Sequence, residues 1–178
     1  KTFPYQPEVQ FRIAHTDDAI LVHYKVKEAS VRAVAAGDNG AVWEDACVEF
    51  FSIPAGDGIY YNVECNCAGI LLIGAGAGRE NREHAPQEVM DKVQRWSSLG
   101  RQSFEERVGE CNWELALVIP YSAFFKHQIT SLDGKTVRAN FYKCGDKLQT
   151  PHFLSWNPIA LEKPNFHCPE FFGTLNFE

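Results

Sequence analysis

Polar side chains share one side of three stretches of the sequence with strand-like alternation, where they could bind a ligand rich in hydroxyl groups. They are Asp45 and Glu49 in the first stretch, Asn62, Glu64 and Asn66 in the second, and Arg138, Asn140 and Tyr142 in the third. Carboxylates accept hydrogen bonds from hydroxyl groups, a guanidinium donates them in a planar fork, and an amide does both. If the three stretches are neighbouring strands of one sheet, their polar sides combine into one binding face.

Two tryptophans could complete such a site. Trp43 and Trp156 lie at the ends of predicted segments, where an indole ring can stay exposed and stack on the apolar C–H face of a sugar. The other two tryptophans are interpreted as packing residues. Trp113 alternates with aliphatic side chains and is expected in the core, whereas Trp96 is expected to pack a helix onto the sheets.

The same residues permit other interpretations. Alternating polar residues are typical of any solvated sheet face, so Glu49, Glu64 and Arg138 could form a purely structural ion-pair network. Alternatively, Glu49 and Glu64 could be the two acids of a glycoside hydrolase, which lie about 5 to 10 Å apart in such enzymes. Those enzymes usually have a deeper cleft and a longer chain, and no nucleophile motif points to another hydrolytic mechanism. Non-catalytic binding, hydrolysis and a structural or interaction role therefore all stand as hypotheses.

Alternation and turn residues predict an all-β chain. Strands are predicted over residues 9–14, 20–27, 45–53, 59–67, 70–73, 102–108, 113–119, 137–144 and 174–177. Apolar spacing in residues 86–96 predicts one short helical insertion. This pattern favours a single domain, residues 1–178, folded as an antiparallel β-sandwich of the jelly-roll or immunoglobulin-like type.

Composition and charge exclude several partner classes. The 178 residues carry a formal net charge of −6 and no basic block, so nucleic acid is not an expected partner. No apolar run approaches the roughly 20 residues of a membrane-spanning helix, so membrane insertion is not expected. The GAGAG run at residues 74–78 lacks the spacing of a dinucleotide-binding loop. The six cysteines lack zinc-site spacing and are interpreted mainly as reduced packing residues, while a disulfide between distant positions stays open.

Six stretches of the sequence occur in the same order as the elements of a known family. They are VWEDACVEFF, YNVECNCAG, NWELALVIP, VRANFYK, LSWNPI and PNFHCPEFFGTLNF, which cover most of the chain from about Trp43 onwards. The family elements read W-x-D-D-x-V-E-x-F, Y-x-x-E-x-N-x-x-G, W-x-x-E-x-x-I-P, R-x-N-F-Y, SW-x-P and FH-x-P-E-x-FG-x-L. On these motifs, the sequence resembles carbohydrate-binding module family 9.

The resemblance implies a β-sandwich that binds a mono-, oligo- or polysaccharide without catalysis of its own. It implies that Trp43 and Trp156 clamp a sugar ring. It also places the family's acidic contact at Glu49 and the polar pair of the next strand at Glu64 and Asn66. Such modules are often attached to polysaccharide-degrading enzymes, which implies a role in polysaccharide catabolism and a secreted, periplasmic or cell-surface location. The oligomeric state is left open.

The sequence departs from the family pattern at three places. Glu44-Asp45 is followed by Ala46 where the family has its second acid, and Glu64 stands where the family has an arginine. The insertion at residues 79–100 could cover or extend the site. Members of this type can also carry structural calcium, for which the Asp17-Asp18 turn is the candidate; no other cofactor is expected.

Overall fold

Two antiparallel sheets pack face to face in the computed structural model, which describes residues 3–178. In chain order the strands are β1 (Glu8–His15), β2 (Ala19–Ala33), β3 (Cys47–Ile53), β4 (Tyr60–Asn66), β5 (Leu71–Gly76), β6 (Glu83–His84), β7 (Gln94–Ser97), β8 (Phe104–Pro120), β9 (Thr136–Cys144), β10 (Phe153–Ser155) and β11 (Gly173–Asn176). The smaller sheet has the order β1-β2-β8-β7. The larger has the order β10-β9-β3-β4-β5-β6, with β11 also paired to β9. The predicted all-β sandwich is confirmed; Lys1 and Thr2, which the predicted domain includes, lie outside the described residues.

The core lies between the sheets because each strand turns alternate apolar side chains inward. Phe50, Val63 and Phe141 of the larger sheet share this core with Trp113 and Leu117 of β8. The rings of Phe50 and Phe141 stack with centroids 4.9 Å apart. The inward faces predicted for these strands, and the core position of Trp113, are therefore confirmed. Because successive side chains of a strand point to opposite faces, the polar neighbours of these residues project from the outer face of the larger sheet.

The outer face of the larger sheet is covered by irregular chain. Its apolar residues Phe51, Tyr60 and Tyr142 pack with Phe172 and Phe166 of the C-terminal segment. The rings of Tyr142 and Phe166 stack with centroids 4.2 Å apart. This covering segment buries polar side chains that a bare sheet would expose to water.

The helix predicted over residues 86–96 is much shorter in the structure. Helix α1 spans only Gln87–Met90, after which the chain forms β7 along the edge of β8. Trp96 pairs in register with Ala116, and its side chain is 55% exposed, so the prediction that it packs a helix onto the sheets is wrong. A short isolated helix is only marginally stable, whereas pairing with a strand edge satisfies backbone hydrogen bonds.

The two strands predicted over residues 102–108 and 113–119 form one long strand, β8. Its pairing with β2 shifts register between Glu28 and Ser30, and Gly109 adopts a φ of 134° nearby. Glycine adopts a positive φ without the steric cost that a side chain would impose. A bulge thus keeps one continuous strand where the turn-like sequence suggested two.

The first three residues of the GAGAG run, Gly74–Gly76, belong to strand β5, and Ala77 and Gly78 follow it in a bend. Gly74 pairs with Asn62 of β4, and a Cβ atom on Gly74 would lie 2.5 Å from Asn62 Oδ1. Glycine is required here because the side chain of Asn62 lies across the β5 backbone. Gly74 therefore leaves room for the Asn62 side chain on the outer face of the larger sheet.

A charged cluster is buried between the sheets. Lys143 of β9 points into the core, with Nζ 2.8 Å from Glu28 Oε2 and 2.7 Å from His152 Nε2. The indole N–H of Trp113 donates to Glu28 Oε1 at 2.7 Å. Burial, together with the charge of Lys143, lowers the pKa of His152 to about 4, so the neutral ring can accept a hydrogen bond from the ammonium group. The strand alternation did not predict this cluster.

The cysteines are all free thiols, and Cys111 is the only one that is not fully buried. This agrees with their interpretation as reduced packing residues. Within the described residues, no helix has the length and apolar character needed to cross a membrane.

Candidate functional site

A cavity of about 390 Å³ opens on the outer face of the larger sheet, over strands β3 and β4. Its sheet side is formed by Glu49, Asn62, Glu64, Leu72 and Cys144. Its other sides are formed by β6, β10 and the surrounding loops, through Trp43, Arg79, Arg82, His84, Asp146, Phe153, Pro164, Asn165, Phe166 and His167. The volume lies in the range of roughly 300–1,000 Å³ that is usual for small-molecule sites.

Two buried carboxyl groups lie side by side on the sheet surface. Glu49 of β3 is directly opposite Glu64 of β4, and the two residues are only 2% and 5% exposed. Burial raises the pKa of Glu64 to about 7 and that of Glu49 well above its ordinary value, with the Glu64 charge adding to the rise at Glu49. Neighbouring carboxyls resist ionising together, so the pair retains a proton near neutral pH. It therefore presents both an O–H donor and acceptor oxygens.

Glu64 is oriented by Asn62 and Arg82. Arg82 donates to Asn62 Oδ1 through Nε at 3.0 Å and Nη2 at 2.8 Å, and Asn62 Nδ2 donates to Glu64 Oε1 at 2.9 Å. Arg82 is fixed in turn by Tyr60, whose carbonyl accepts from Nη2 at 2.8 Å and whose ring centroid lies 3.9 Å from the guanidinium carbon. The hydrogen-bond chain holds the Glu64 carboxyl at a set position in the cavity.

Aromatic rings border the cavity beside these polar groups. Trp43 lies in a short 3-10 turn just before β3 and is 39% exposed. Phe153 and Phe166 border the cavity as well, with ring centroids 6.1 Å apart. An indole face beside convergent carboxyl groups suits a ligand that has both an apolar face and hydroxyl groups.

The free energy of unfolding is expected to fall as pH rises through the range in which Glu64 ionises. Glu64 has its ordinary pKa of 4.5 in the unfolded chain, whereas burial raises it to about 7 in the folded protein. The folded state therefore binds more protons in this range, and stability that is fully present below pH 4.5 is lost as pH rises through about 7. The loss is on the order of 3 kcal/mol. Urea denaturation across this pH range measures it.

A neutral variant separates Glu64 from other titrating groups. Glu64→Gln is expected to reduce the slope of the pH dependence, because the amide cannot ionise, while Glu49, whose pKa burial also raises, keeps its own contribution. Glu110→Gln removes an exposed carboxylate from β8 and should leave the wild-type slope. A Glu64→Gln protein with the wild-type slope would show that another group titrates in this range.

The structure does not bring Trp156 to the cavity that Trp43 borders. The Trp156 ring packs edge-on against Phe11 and Phe141, with centroids 6.0 and 5.8 Å away, and these residues belong to the core between the sheets. Trp156 is 46% exposed and borders a separate depression beside Tyr24. The tryptophan clamp implied by the family resemblance is therefore not formed by these two residues in the structure.

The sequence-predicted polar residues divide into two groups. Glu49, Asn62 and Glu64 border the cavity, whereas the others have internal partners. Asn66 donates to Asp45 Oδ2 at 3.0 Å, and Arg138 donates to three backbone carbonyls of the C-terminal segment. Asn140 exchanges hydrogen bonds with the backbone of Asn157, and the hydroxyl of Tyr142 donates to the Phe166 carbonyl. These four residues project outward as predicted, but Arg138, Asn140 and Tyr142 hold the covering chain in place, and Asn66 holds Asp45 and the turn that follows β4.

Several residues of the cavity were not identified from the sequence. Arg82 and His84 come from the insertion at residues 79–100, which β6 brings to the outer face by pairing with β5. The position of that insertion next to a predicted strand was the available signal. Cys144 continues the outward alternation of β9 beyond Tyr142, so the strand period could have identified it.

One group of residues in the described chain has the donor spacing of a metal site. Cys47, Glu49 and Cys144 each offer a ligand atom, and the three atoms lie within 4.8 Å of one another. The Asp17-Asp18 turn contains no such group, and Asp18 Oδ1 instead accepts a hydrogen bond from the Thr16 hydroxyl at 3.0 Å. Structural calcium at that turn stays a prediction.

Comparison with solved structures identifies similar folds. A candidate carbohydrate-binding protein from Bacteroides uniformis ATCC 8492 is 71% identical over 100% of this chain and 82% of its own, with a TM-score of 0.98. A family 9 module from Caldicellulosiruptor kristjanssonii in complex with glucose is 11% identical over 98% of this chain and 78% of its own, with a TM-score of 0.60. The complex of such a module from the same organism with cellotriose is 12% identical over 98% of this chain and 76% of its own, with a TM-score of 0.61. Similarity to these two structures concerns the fold alone.

Comparison with sequence families identifies the chain directly. The family model of carbohydrate-binding family 9 matches residues 1–177. Comparison with curated proteins finds no match. The match to the family model confirms the resemblance found in the six motifs and favours non-catalytic sugar binding over hydrolysis. The chain belongs to carbohydrate-binding family 9 and is a non-catalytic carbohydrate-binding module.

Proposed function

We propose that the outer-face cavity is the sugar site of this module, with Trp43 stacking on a sugar ring while Glu49 and Glu64 bind its hydroxyl groups. The observation that carries the proposal is the position of a partly exposed indole beside a buried carboxyl pair in one cavity. A sugar has apolar C–H faces and a rim of hydroxyl groups, so it matches both parts of the site. Phe153 and Phe166 supply further apolar contact area.

The protonation state of the carboxyl pair suits a neutral sugar. Because Glu49 and Glu64 share a proton near neutral pH, together they donate to one hydroxyl oxygen and accept from others. The guanidinium of Arg82 is already engaged by Asn62, Tyr60 and the Gly78 carbonyl. An anionic sugar would meet three carboxyl groups of the cavity, those of Glu49, Glu64 and Asp146, so neutral hexoses are the favoured ligands.

The solved family structures guide the choice of the first ligands to test. The module from Caldicellulosiruptor kristjanssonii was solved with glucose and with cellotriose. Glucose and short cello-oligosaccharides are therefore the first candidates for this chain, followed by other neutral hexoses. The extracellular or periplasmic location and the role in polysaccharide breakdown stay predictions.

Calorimetric titration with this sugar panel tests the proposal. Glu49→Gln is expected to weaken binding by roughly 10- to 100-fold, which corresponds to about 1.4–2.8 kcal/mol for a hydrogen bond to an ionisable partner. Glu110→Gln, on the smaller sheet, serves as the matched acidic control and should bind like wild type. A folded wild-type protein that binds no sugar of the panel would instead support an interaction domain with a degenerate site. Unchanged binding by Glu49→Gln would place the site elsewhere.

A further inference from the structure

Two thiols and a carboxyl group converge where β3 meets β9, at the sheet side of the cavity. Cys47 and Cys144 are directly opposite each other in the pairing of these strands. Both project from the outer face, as Glu49 does, because the three residues occupy alternate positions on their strands. The Sγ atom of Cys144 lies 3.1 Å from Glu49 Oε1, and all three donor atoms lie within 4.8 Å of one another.

These separations are close to those of ligands that share one ion. Zinc binds thiolate sulfur at about 2.3 Å and carboxylate oxygen at about 2.0–2.2 Å, so two tetrahedral ligands lie roughly 3 to 4 Å apart. The pairing of β3 with β9 already holds the three donor atoms within 4.8 Å of one another. The backbone is therefore organised before an ion arrives.

The charge balance around the group favours a cation. Glu49 is buried, its side-chain hydrogen bond in the described residues comes from Cys144, and no salt bridge in that part of the chain involves it. A second carboxyl, Glu64, lies opposite it, and Asp146 borders the same cavity. A bound cation would compensate the charge that the buried Glu49 acquires when it ionises. This group has acids on several sides and no cationic partner at Glu49.

The group is also accessible. Glu49 and Cys144 border the cavity, so an ion can reach them from solvent, while Cys47 lies beneath them among Val42 and Leu72. Three protein ligands leave the fourth tetrahedral position directed at the cavity, where water can occupy it. The thiols select against calcium and magnesium, which prefer oxygen ligands only.

We propose that Cys47, Cys144 and Glu49 form a site for one thiophilic cation such as Zn²⁺, open towards the cavity. Binding converts both thiols to thiolates, with release of their protons, and ionises Glu49. No electron transfer is involved. This site is separate from the calcium predicted at the Asp17-Asp18 turn. Competition between the cation and a sugar for Glu49 would follow only if the proposed sugar site is correct, whereas cation binding itself does not depend on it.

Cadmium titration of the reduced full chain tests the proposal. The protein is freed of metal with a chelator, kept reduced with a phosphine and titrated with Cd²⁺ while thiolate-to-cadmium charge-transfer absorption is followed in the ultraviolet. We expect saturation at one equivalent, and displacement of the bound Cd²⁺ by Zn²⁺. If the folded wild-type protein shows no charge-transfer band, or shows one only at a large excess of Cd²⁺, the proposal is overturned without recourse to any variant.

Variants then locate the bound ion. Cys144→Ala is expected to weaken Cd²⁺ binding by roughly 100-fold or more, and Glu49→Gln by roughly tenfold, since even partners outside the ligand shell are worth 10- to 100-fold. Cys65→Ala is the matched control, because Cys65 is an equally buried thiol on the core side of β4. It should keep wild-type affinity. Loss of the band in Cys65→Ala, or its persistence in a folded Cys144→Ala protein, would place the thiolates elsewhere.

Discussion

Lys143→Met is expected to lower the free energy of unfolding by about 3–5 kcal/mol at neutral pH. The substitution removes an ammonium group that lies 2.8 Å from Glu28 Oε2 in the interior between the sheets. It leaves the Glu28 carboxylate buried without a cation, with the indole N–H of Trp113 as its hydrogen-bond donor and His152 Nε2 3.5 Å from Oε2. An unpaired charge in the interior loses its solvation without compensation, so the cost exceeds that of an ordinary core substitution. Urea denaturation of wild type and variant measures the difference.

Two further variants distinguish the loss of a buried charge from loss of packing. Adding Glu28→Gln to Lys143→Met neutralises the orphaned carboxylate, so the double variant should lose less than the sum of the single losses. Glu110→Gln disrupts the exposed ion pair with Lys27 and should cost only about 0–1 kcal/mol. If Lys143→Met were no more costly than Glu110→Gln, the buried cluster would not be a determinant of stability.

Trp43→Ala is expected to weaken sugar binding by about 2 kcal/mol or more, which corresponds to roughly 30-fold in the dissociation constant. The indole is the large aromatic surface that borders the cavity from the turn before β3, and alanine cannot replace its contact with a sugar ring. Because Trp43 is partly exposed and lies outside the strands, its removal should change the free energy of unfolding little. Isothermal titration with the best sugar of the panel measures the effect.

Trp156→Ala is the matched control for this prediction. Trp156 has a similar exposed fraction to Trp43, but its ring packs on Phe11 and Phe141 beside the core. Its removal is expected to lower the free energy of unfolding, because the ring loses its packing on these two residues. The dissociation constant for sugar should stay within about twofold of wild type, because Trp156 does not border the cavity. The opposite result would be loss of binding in Trp156→Ala and wild-type binding in Trp43→Ala. It would show that the sugar binds at Trp156, as the family resemblance implies, and that Trp43 is not part of the site.

The period of the strands explains why much of the site could be predicted from the sequence. Val48 and Phe50 had to face the core, so Glu49 had to face outward, and the same reasoning applies to Glu64 between Val63 and Cys65. The antiparallel pairing of two adjacent predicted strands then brought the two acids together. Side-chain alternation is a local property, which a single sequence reports well.

Long-range contacts explain what could not be predicted. Asn66, Arg138, Asn140 and Tyr142 do project outward, but partners distant in the sequence use their hydrogen-bonding groups. Their alternation shows the face of the sheet and not what covers that face. Trp156 lies next to the short strand β10, where no periodicity indicates which way its ring points. Lys143 follows Phe141 in the inward alternation of β9, but the alternation does not show that Glu28, on the other sheet, is its partner.

The most direct measurement of the central proposal is a crystal structure of this protein with its best-bound sugar. We expect a sugar ring in the outer-face cavity, stacked on the indole of Trp43, with hydroxyl groups hydrogen-bonded to Glu49 and Glu64. A sugar bound beside Trp156, or at any surface away from this carboxyl pair, would contradict it.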